Sequence, residues 1–233
     1  MPDTPRPDTP GKGIRLENQP APPPQPSVID AFSLFGVPRQ PWLDPEALKA
    51  AFLSLSVTAH PDRFHNLAEP EREEASQRFG QLNTAYNCLR ETKTRLQHLL
   101  QLERGTKPRD VQSFPDDLMS LFAEVSALCR QVDGFLAEKE RATSPLLKVK
   151  FVEQGMVWTD KLGALLEKIA ARRGTVDGEL KAMNRQWEAA PSIGSSERQQ
   201  ALPLARLEEL YRDTSYLTRW TGQIQERSVQ LGL

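Results

Sequence analysis

The sequence predicts an all-α protein, with four short helices followed by an antiparallel helical bundle. Three observations carry this expectation. Apolar residues recur at helical spacing through most of the chain after residue 27, no plausible strand pattern interrupts them, and capping residues and prolines fall where the spacing starts and stops. On these grounds the chain divides into a Pro-rich tail over 1–26, a four-helix unit over 27–104, a linker over 105–113 and a bundle over 114–233.

The tail holds Pro2, Pro5, Pro7, Pro10, Pro20, Pro22, Pro23 and Pro24 and almost no large apolar residues, a composition expected to remain disordered. Ser27 is placed to cap a first helix whose third residue is Asp30; Ile29, Phe32 and Phe35 share its face, and Gly36 and Pro38 end it. Asp44 followed by Pro45 and Glu46 marks a second start, because a carboxylate accepts free amides and proline suits the first helical position. Leu48, Phe52 and Leu55 follow, and the helix is expected to run to His60, where Pro61 stops it. A third helix starts at Pro70 with Glu71, Glu73 and Glu74 in its first turn, where negative charge complements the helix dipole. Its stripe is Phe79, Leu82, Tyr86 and Leu89. A fourth carries Leu96, Leu99, Leu100 and Leu102 before Gly105 and Pro108.

Beyond the linker the helices lengthen. The first presents Leu118, Phe122, Val125, Cys129 and Val132. A second begins with Ser144 capping Pro145 and continues through Val149, Val152 and Met156 to Leu162, Leu165, Leu166 and Ile169. A third, shorter piece holds Val176, Leu180, Met183 and Trp187, and a break over 189–196 contains Pro191 and Gly194. The last helix follows Ser195 or Ser196 and presents Leu204, Leu207, Leu210, Tyr211, Leu217, Trp220 and Ile224. Long helices joined by short breaks make an antiparallel bundle.

Composition narrows the function. Thirty basic and 31 acidic residues leave a formal net charge of −1, so no global field directs the protein to nucleic acid or to an anionic membrane. No apolar run has the length of a signal sequence or a membrane span, and a soluble, cytoplasmic protein is expected. Cys88 and Cys129 lie in separate helices without ligand spacing and read as reduced, core-filling thiols. With three histidines, no Gly-rich phosphate loop and no nucleophile elbow, the chain offers no catalytic residue, metal site or cofactor site, and an enzyme is not expected.

One short motif stands out. His60-Pro61-Asp62-Arg63-Phe64 joins the second and third helices. Read by itself it is a helix stop followed by a turn, but a capped helix ends at the histidine and an amphipathic helix follows after a short loop, which is the setting of the signature tripeptide of J-domains. More specifically, the segment from Asp30 to Gly105 resembles the HscB-type co-chaperones of iron-sulfur cluster assembly. The matching stretches are Phe32-Ser33-Leu34-Phe35-Gly36-Val37-Pro38, Leu43-Asp44, the tripeptide with Arg63 and Phe64, Leu82-Asn83-Thr84-Ala85-Tyr86 with Leu89-Arg90, and Arg95 with Leu99-Leu100-Gln101-Leu102. The resemblance implies that residues 27–104 form a J-domain built on a helical hairpin and that its partner is a DnaK/HscA-type chaperone. Asp62 would engage a basic group of that chaperone, Pro61 would hold the loop rigid and His60 would orient it, with Arg63 and Lys49 as further contacts. It also implies a client, an iron-sulfur cluster scaffold protein gripped by the C-terminal helices.

The chain departs from the family in places. The second helix, over residues 47–59, carries one basic residue, Lys49, where several are usual; Leu53, Ser54 and Thr58 stand at commonly basic positions and Ala59 replaces the usual aromatic. Electrostatic steering should therefore be weak. Thr92 and His98 replace a common proline and tyrosine, and His98 reads as a helix-surface residue. Leu118-Met119 with Phe122 and Glu124 echo the client-binding start of the family's bundle, while Ala123, Val125 and Ser126 replace polar residues. Leu118, Met119 and Phe122 are either an exposed apolar client site or part of the bundle core. Two other readings stay open: a J-domain protein for another client, and a helical adaptor whose degenerate J-domain no longer stimulates an ATPase.

Overall fold

Short helices need strong ends, and the first helix shows how this chain supplies them. Helix α1 (Ala31–Phe35) is capped by Asp30, whose Oδ1 accepts the amides of Phe32 at 3.0 Å and Ser33 at 3.3 Å. Arg39 donates from Nε and Nη2 to the other carboxylate oxygen, at 2.9 and 2.8 Å. Burial pushes the Asp30 carboxyl up, but the hydrogen bonds from Ser33 and Arg39 outweigh it and hold it below the usual range. Gly36 closes the helix at φ 64°, in the left-handed region, and its amide returns to the Ser33 carbonyl. The cap expected at Ser27 is thus supplied by Asp30, and Ile29, expected on the buried face, is exposed. The computed structural model describes residues 29–59, 68–108 and 114–232, so the Pro-rich tail lies outside the described residues.

Helix α2 (Pro45–Ala59) starts as expected, with Asp44 Oδ1 accepting the amides of Glu46 at 2.9 Å and Ala47 at 3.1 Å. Helix α3 (Glu69–Arg90) follows, with proline in its first turn and Leu82, Ala85 and Leu89 buried. Helix α4 (Thr92–Arg104) ends at Gly105, again left-handed, with φ 74°. It is buried on most sides, through Arg95, Leu96, His98, Leu99, Leu100 and Glu103. His98 is only 8% exposed, so its assignment to the helix surface is corrected. Its ring stacks on Phe32 at 5.8 Å, and its Nε2 accepts the amide of Ala31 at 3.1 Å, serving the first turn of α1 from outside.

The C-terminal half begins with a single 3-10 turn (Asp116–Leu118) that runs into α5 (Met119–Arg141). The second and third pieces expected there are one helix, α6 (Pro145–Glu188), 44 residues long and about 66 Å from end to end at 1.5 Å per residue. It passes through Gly174, at a cost of about 1 kcal/mol relative to alanine, because its buried stripe continues from Leu162, Leu165 and Ile169 to Val176, Leu180, Met183 and Trp187. Between the two halves of that stripe Arg172 bonds Asp213 at 2.8 Å and pairs with Asp117, and Arg173 bonds Thr218 and Thr221. Ser144 makes no side-chain cap, and Val149, Val152 and Met156 face solvent rather than the core. After a bend that includes Gly194 at φ 89°, the expected last helix is split by Pro203 into α7 (Ser196–Ala201), capped by Ser195, and α8 (Leu204–Gly232). Helix α8 packs along α6, α5 and α4.

Polar contacts join the two halves. Arg198 and Glu103 form a two-pronged ion pair at 2.8 and 2.9 Å, their side chains 6% and 3% exposed, and Gln199 donates to the Glu103 carbonyl. Arg104 reaches Glu208 and the Leu204 carbonyl. Asn184 on α6 holds the backbone of Trp42 from both sides, accepting its amide at 3.0 Å and donating to its carbonyl at 2.9 Å, while the Lys181 ammonium sits 4.6 Å above the indole.

Two stability outcomes follow from these contacts. Arg198→Met leaves the Glu103 carboxylate buried and unpaired and should cost about 3–5 kcal/mol in urea unfolding, whereas adding Glu103→Met should recover most of the loss. His98→Ala should cost about 1–3 kcal/mol by leaving the Ala31 amide without its acceptor. Burial holds the His98 imidazole below its usual range, with Asp30 opposing and Arg39 adding to the shift. The neutral ring is the folded form, so its contribution is present above about pH 6.5 and is lost as the pH falls from there through the lowered folded value. Unfolding midpoints at about pH 7.5 and about pH 5 should differ more for the native chain than for His98→Gln.

Candidate functional site

Helices α2 and α3 form an antiparallel hairpin. Phe52 stacks on Tyr86 at 4.2 Å near one end, Phe35 lies 6.5 Å from the same ring, and Arg90 covers it at 5.8 Å. At the other end Thr58 and Ala59 face Glu71, Glu74 and Ala75 across an open cleft of about 480 Å³. His60, Pro61, Asp62 and Arg63 connect these two ends in sequence and lie outside the described residues. The structure therefore describes the frame that carries the motif.

Two local features place that frame. The Asp44 cap and Pro45 fix where α2 begins, and Leu48, buried at 3% exposure, seats its first turn on the core. On the far side, Arg95 ties the α1–α2 loop and the α3–α4 corner together: its Nε donates to the Pro41 carbonyl at 2.9 Å and its Nη1 to the Leu89 carbonyl at 2.7 Å. Lys49 is exposed on α2, and Glu69, Glu71, Glu73 and Glu74 are exposed on the first turns of α3. Among the described residues no group of three or more His, Cys, Asp or Glu side chains is placed to hold a metal ion, and no helix is long and apolar enough to cross a membrane.

The second candidate patch is divided by the structure. Met119 and Phe122 are half exposed, at 50% and 42%, but Leu118, at 1%, belongs to the core and is removed from any surface set. The 3-10 turn that ends at Leu118 points this side chain inward while the next residue opens α5. Phe122 is part of an aromatic cluster: Phe114 lies 5.1 Å from it and 4.8 Å from Tyr216, with Trp220 6.2 Å from both phenylalanines. Phe114 and Tyr216 were not singled out as site residues in the sequence, and their only signals there are the boundary position of the first and the four-residue spacing of Tyr216 and Trp220 on one helical face.

With this geometry in place, comparison with known proteins is informative. The DnaJ domain family model matches residues 30–98, which span α1 to α3 and half of α4. The co-chaperone protein HscB homolog of Cupriavidus taiwanensis is 33% identical over 162 residues, covering 69% of this chain and 74% of that relative. That of an Azoarcus species is 41% identical over 73 residues, 31% of this chain and 41% of that relative. The solved structure of the chaperone HscB from Vibrio cholerae covers 87% of this chain and 99% of its own, with a TM-score of 0.55 and 22% identity, a likeness of fold. The matched segment contains the hairpin and its connecting motif, the Cupriavidus match extends well beyond it, and the chain belongs to the HscB family of J-domain co-chaperones.

Proposed function

We propose that this protein stimulates ATP hydrolysis by a DnaK/HscA-type chaperone through His60-Pro61-Asp62 and delivers to it a client bound by the C-terminal helices, an iron-sulfur cluster scaffold protein. The observation that carries the reading is the antiparallel α2–α3 hairpin with the tripeptide at its loop end, in a chain of the HscB family. On this reading residues 27–104 are the chaperone-docking unit and residues 114–233 the client-binding unit, and the protein works in the cytoplasm.

The protein contributes no bond-making chemistry of its own. Asp62 makes a charge-assisted contact with a basic group of the chaperone, Pro61 limits the loop, His60 orients it, and Arg63 and Lys49 add positive charge beside it. Stimulation then requires that these contacts favour the hydrolysis-competent state of the partner over its other states, since equal affinity for both shifts nothing. On the client side Met119 and Phe122 present an apolar surface backed by Phe114, Tyr216 and Trp220, the arrangement of a hot spot set on a packed base. A second reading, a helical adaptor with an inactive J-domain, is favoured by one observation, the single basic residue on α2.

Single-turnover ATP hydrolysis by the DnaK-type chaperones of the same organism separates the two. The co-chaperone reading expects acceleration by the native chain and its loss in Asp62→Asn; a folded sample that accelerates none of them supports the adaptor. For the client, titration with an iron-sulfur scaffold protein should show binding that Phe122→Ala or Met119→Ala weakens by about tenfold or more, and equal affinity in all three proteins removes this patch from the interface.

A further inference from the structure

The arc of α2 opposite buried Leu48 and Ala59 carries Glu46, Ala50, Leu53 and Val57, spaced to form one stripe on the solvent side of the helix. Leu53 is 55% exposed and Val57 64% exposed. Lys49, at the edge of the arc, is the one charged residue between Ala47 and Ala59. The Thr58 hydroxyl is donated to the Leu55 carbonyl at 2.8 Å, within the helix itself. The outward face of α2 is therefore largely apolar.

Two exposed aliphatic side chains are ordinary on a protein surface; their position gives these two a role. Val57 precedes Ala59, the last residue of α2, by two residues and Leu53 precedes it by six, which is about 3 and about 9 Å of helix rise, and His60 follows in sequence. A standard protein interface covers about 800 Å² on each partner, a disc of about 16 Å radius. A partner that engages Asp62 with such a footprint therefore covers the last turns of α2. Charge gives an acidic partner surface little to hold: α2 offers it Lys49 alone, and across the hairpin the first turns of α3 expose Glu69, Glu71, Glu73 and Glu74 against Arg78 and Arg72, the latter paired to Glu69.

We infer that the surface of the DnaK-type chaperone that covers α2 is apolar where it meets Leu53 and Val57, so that docking is driven by burial of these two side chains while Asp62 orients it. The inference rests on the reading of His60-Pro61-Asp62 as the chaperone contact. It differs from docking by complementary charge in a measurable way, because apolar burial survives the salt that screens exposed ion pairs.

The test is the concentration of full-length protein that half-maximally stimulates single-turnover ATP hydrolysis by the DnaK-type chaperone, measured between about 50 and about 500 mM salt. The native chain should shift by less than about threefold over this range, and Leu53→Ser, an exposed substitution that leaves the core intact, should raise the half-maximal concentration by about tenfold with the maximal rate unchanged. A shift of about tenfold or more with salt, together with a silent Leu53→Ser, overturns the inference. Lys49→Ala then identifies an acidic partner surface if it weakens docking, and Glu71→Gln with Glu74→Gln a basic one. A native chain that stimulates no better than Asp62→Asn at any concentration refutes the co-chaperone reading itself, and this inference with it.

Discussion

A helix buried on most of its sides must find partners for every polar side chain it carries, and α4 places the rest of the molecule in doing so. Arg95 reaches two carbonyls, one in the α1–α2 loop and one at the end of α3. His98, one turn on, accepts the first amide of α1. Glu103 takes Arg198 from α7, and Arg104 takes Glu208 from α8. These four side chains occupy ten residues of sequence, yet they touch α1, the loop before α2, the end of α3, α7 and α8. Apolar contact through Leu96, Leu99 and Leu100 supplies the driving force for burial, and the polar partners select one arrangement from those that burial alone would permit.

The consequence is a hairpin held from behind, at the start of α2 and at the end of α3. Trp42, in the loop before α2, is clasped by Asn184 from the long helix, so the start of α2 is referred to the bundle as well as to α4. Phe52 and Tyr86 fix how α2 lies on α3. The exposed side chains on the last turns of α2 are small or apolar, and those on the first turns of α3 are four glutamates with Arg72 and Arg78 among them. Met119 and Phe122 belong to the start of the bundle, on a base of aromatic rings. A buried ion pair and a two-sided amide clasp join the hairpin's half of the chain to the bundle that carries this patch.

Much of this was legible in the sequence where the causes are local. The Asp44-Pro45 start, the Gly105 end and the stripe of α3 each depend on residues within a turn or two. Ser27 and Asp30 are both capping residues, and what favours Asp30 is Arg39 and, through the Ala31 amide, His98, neither of which is adjacent. The long helix reads as two pieces, parted between Ile169 and Val176, because its seam is filled there by arginines whose partners, Asp213, Thr218 and Thr221, lie more than forty residues away. Periodicity at Val149, Val152 and Met156 indicates a helix but does not say whether anything covers the stripe, and among the described residues nothing does. For the site, the motif and its helical setting were readable, whereas the opposite fates of Leu118 and Met119 turn on a single 3-10 turn that spacing does not encode. The Asn184 and Arg198 contacts, 142 and 95 residues from their partners, left no local signal.

The most direct measurement of the central claim is amide hydrogen exchange of the full-length protein alone and with an ATP-loaded DnaK-type chaperone. Added protection is expected over residues 49–63, on α2 and the motif that follows it, with the half of α6 over residues 149–161 unchanged. Protection confined to the C-terminal helices, with α2 and the motif exchanging as in the free protein, would contradict it.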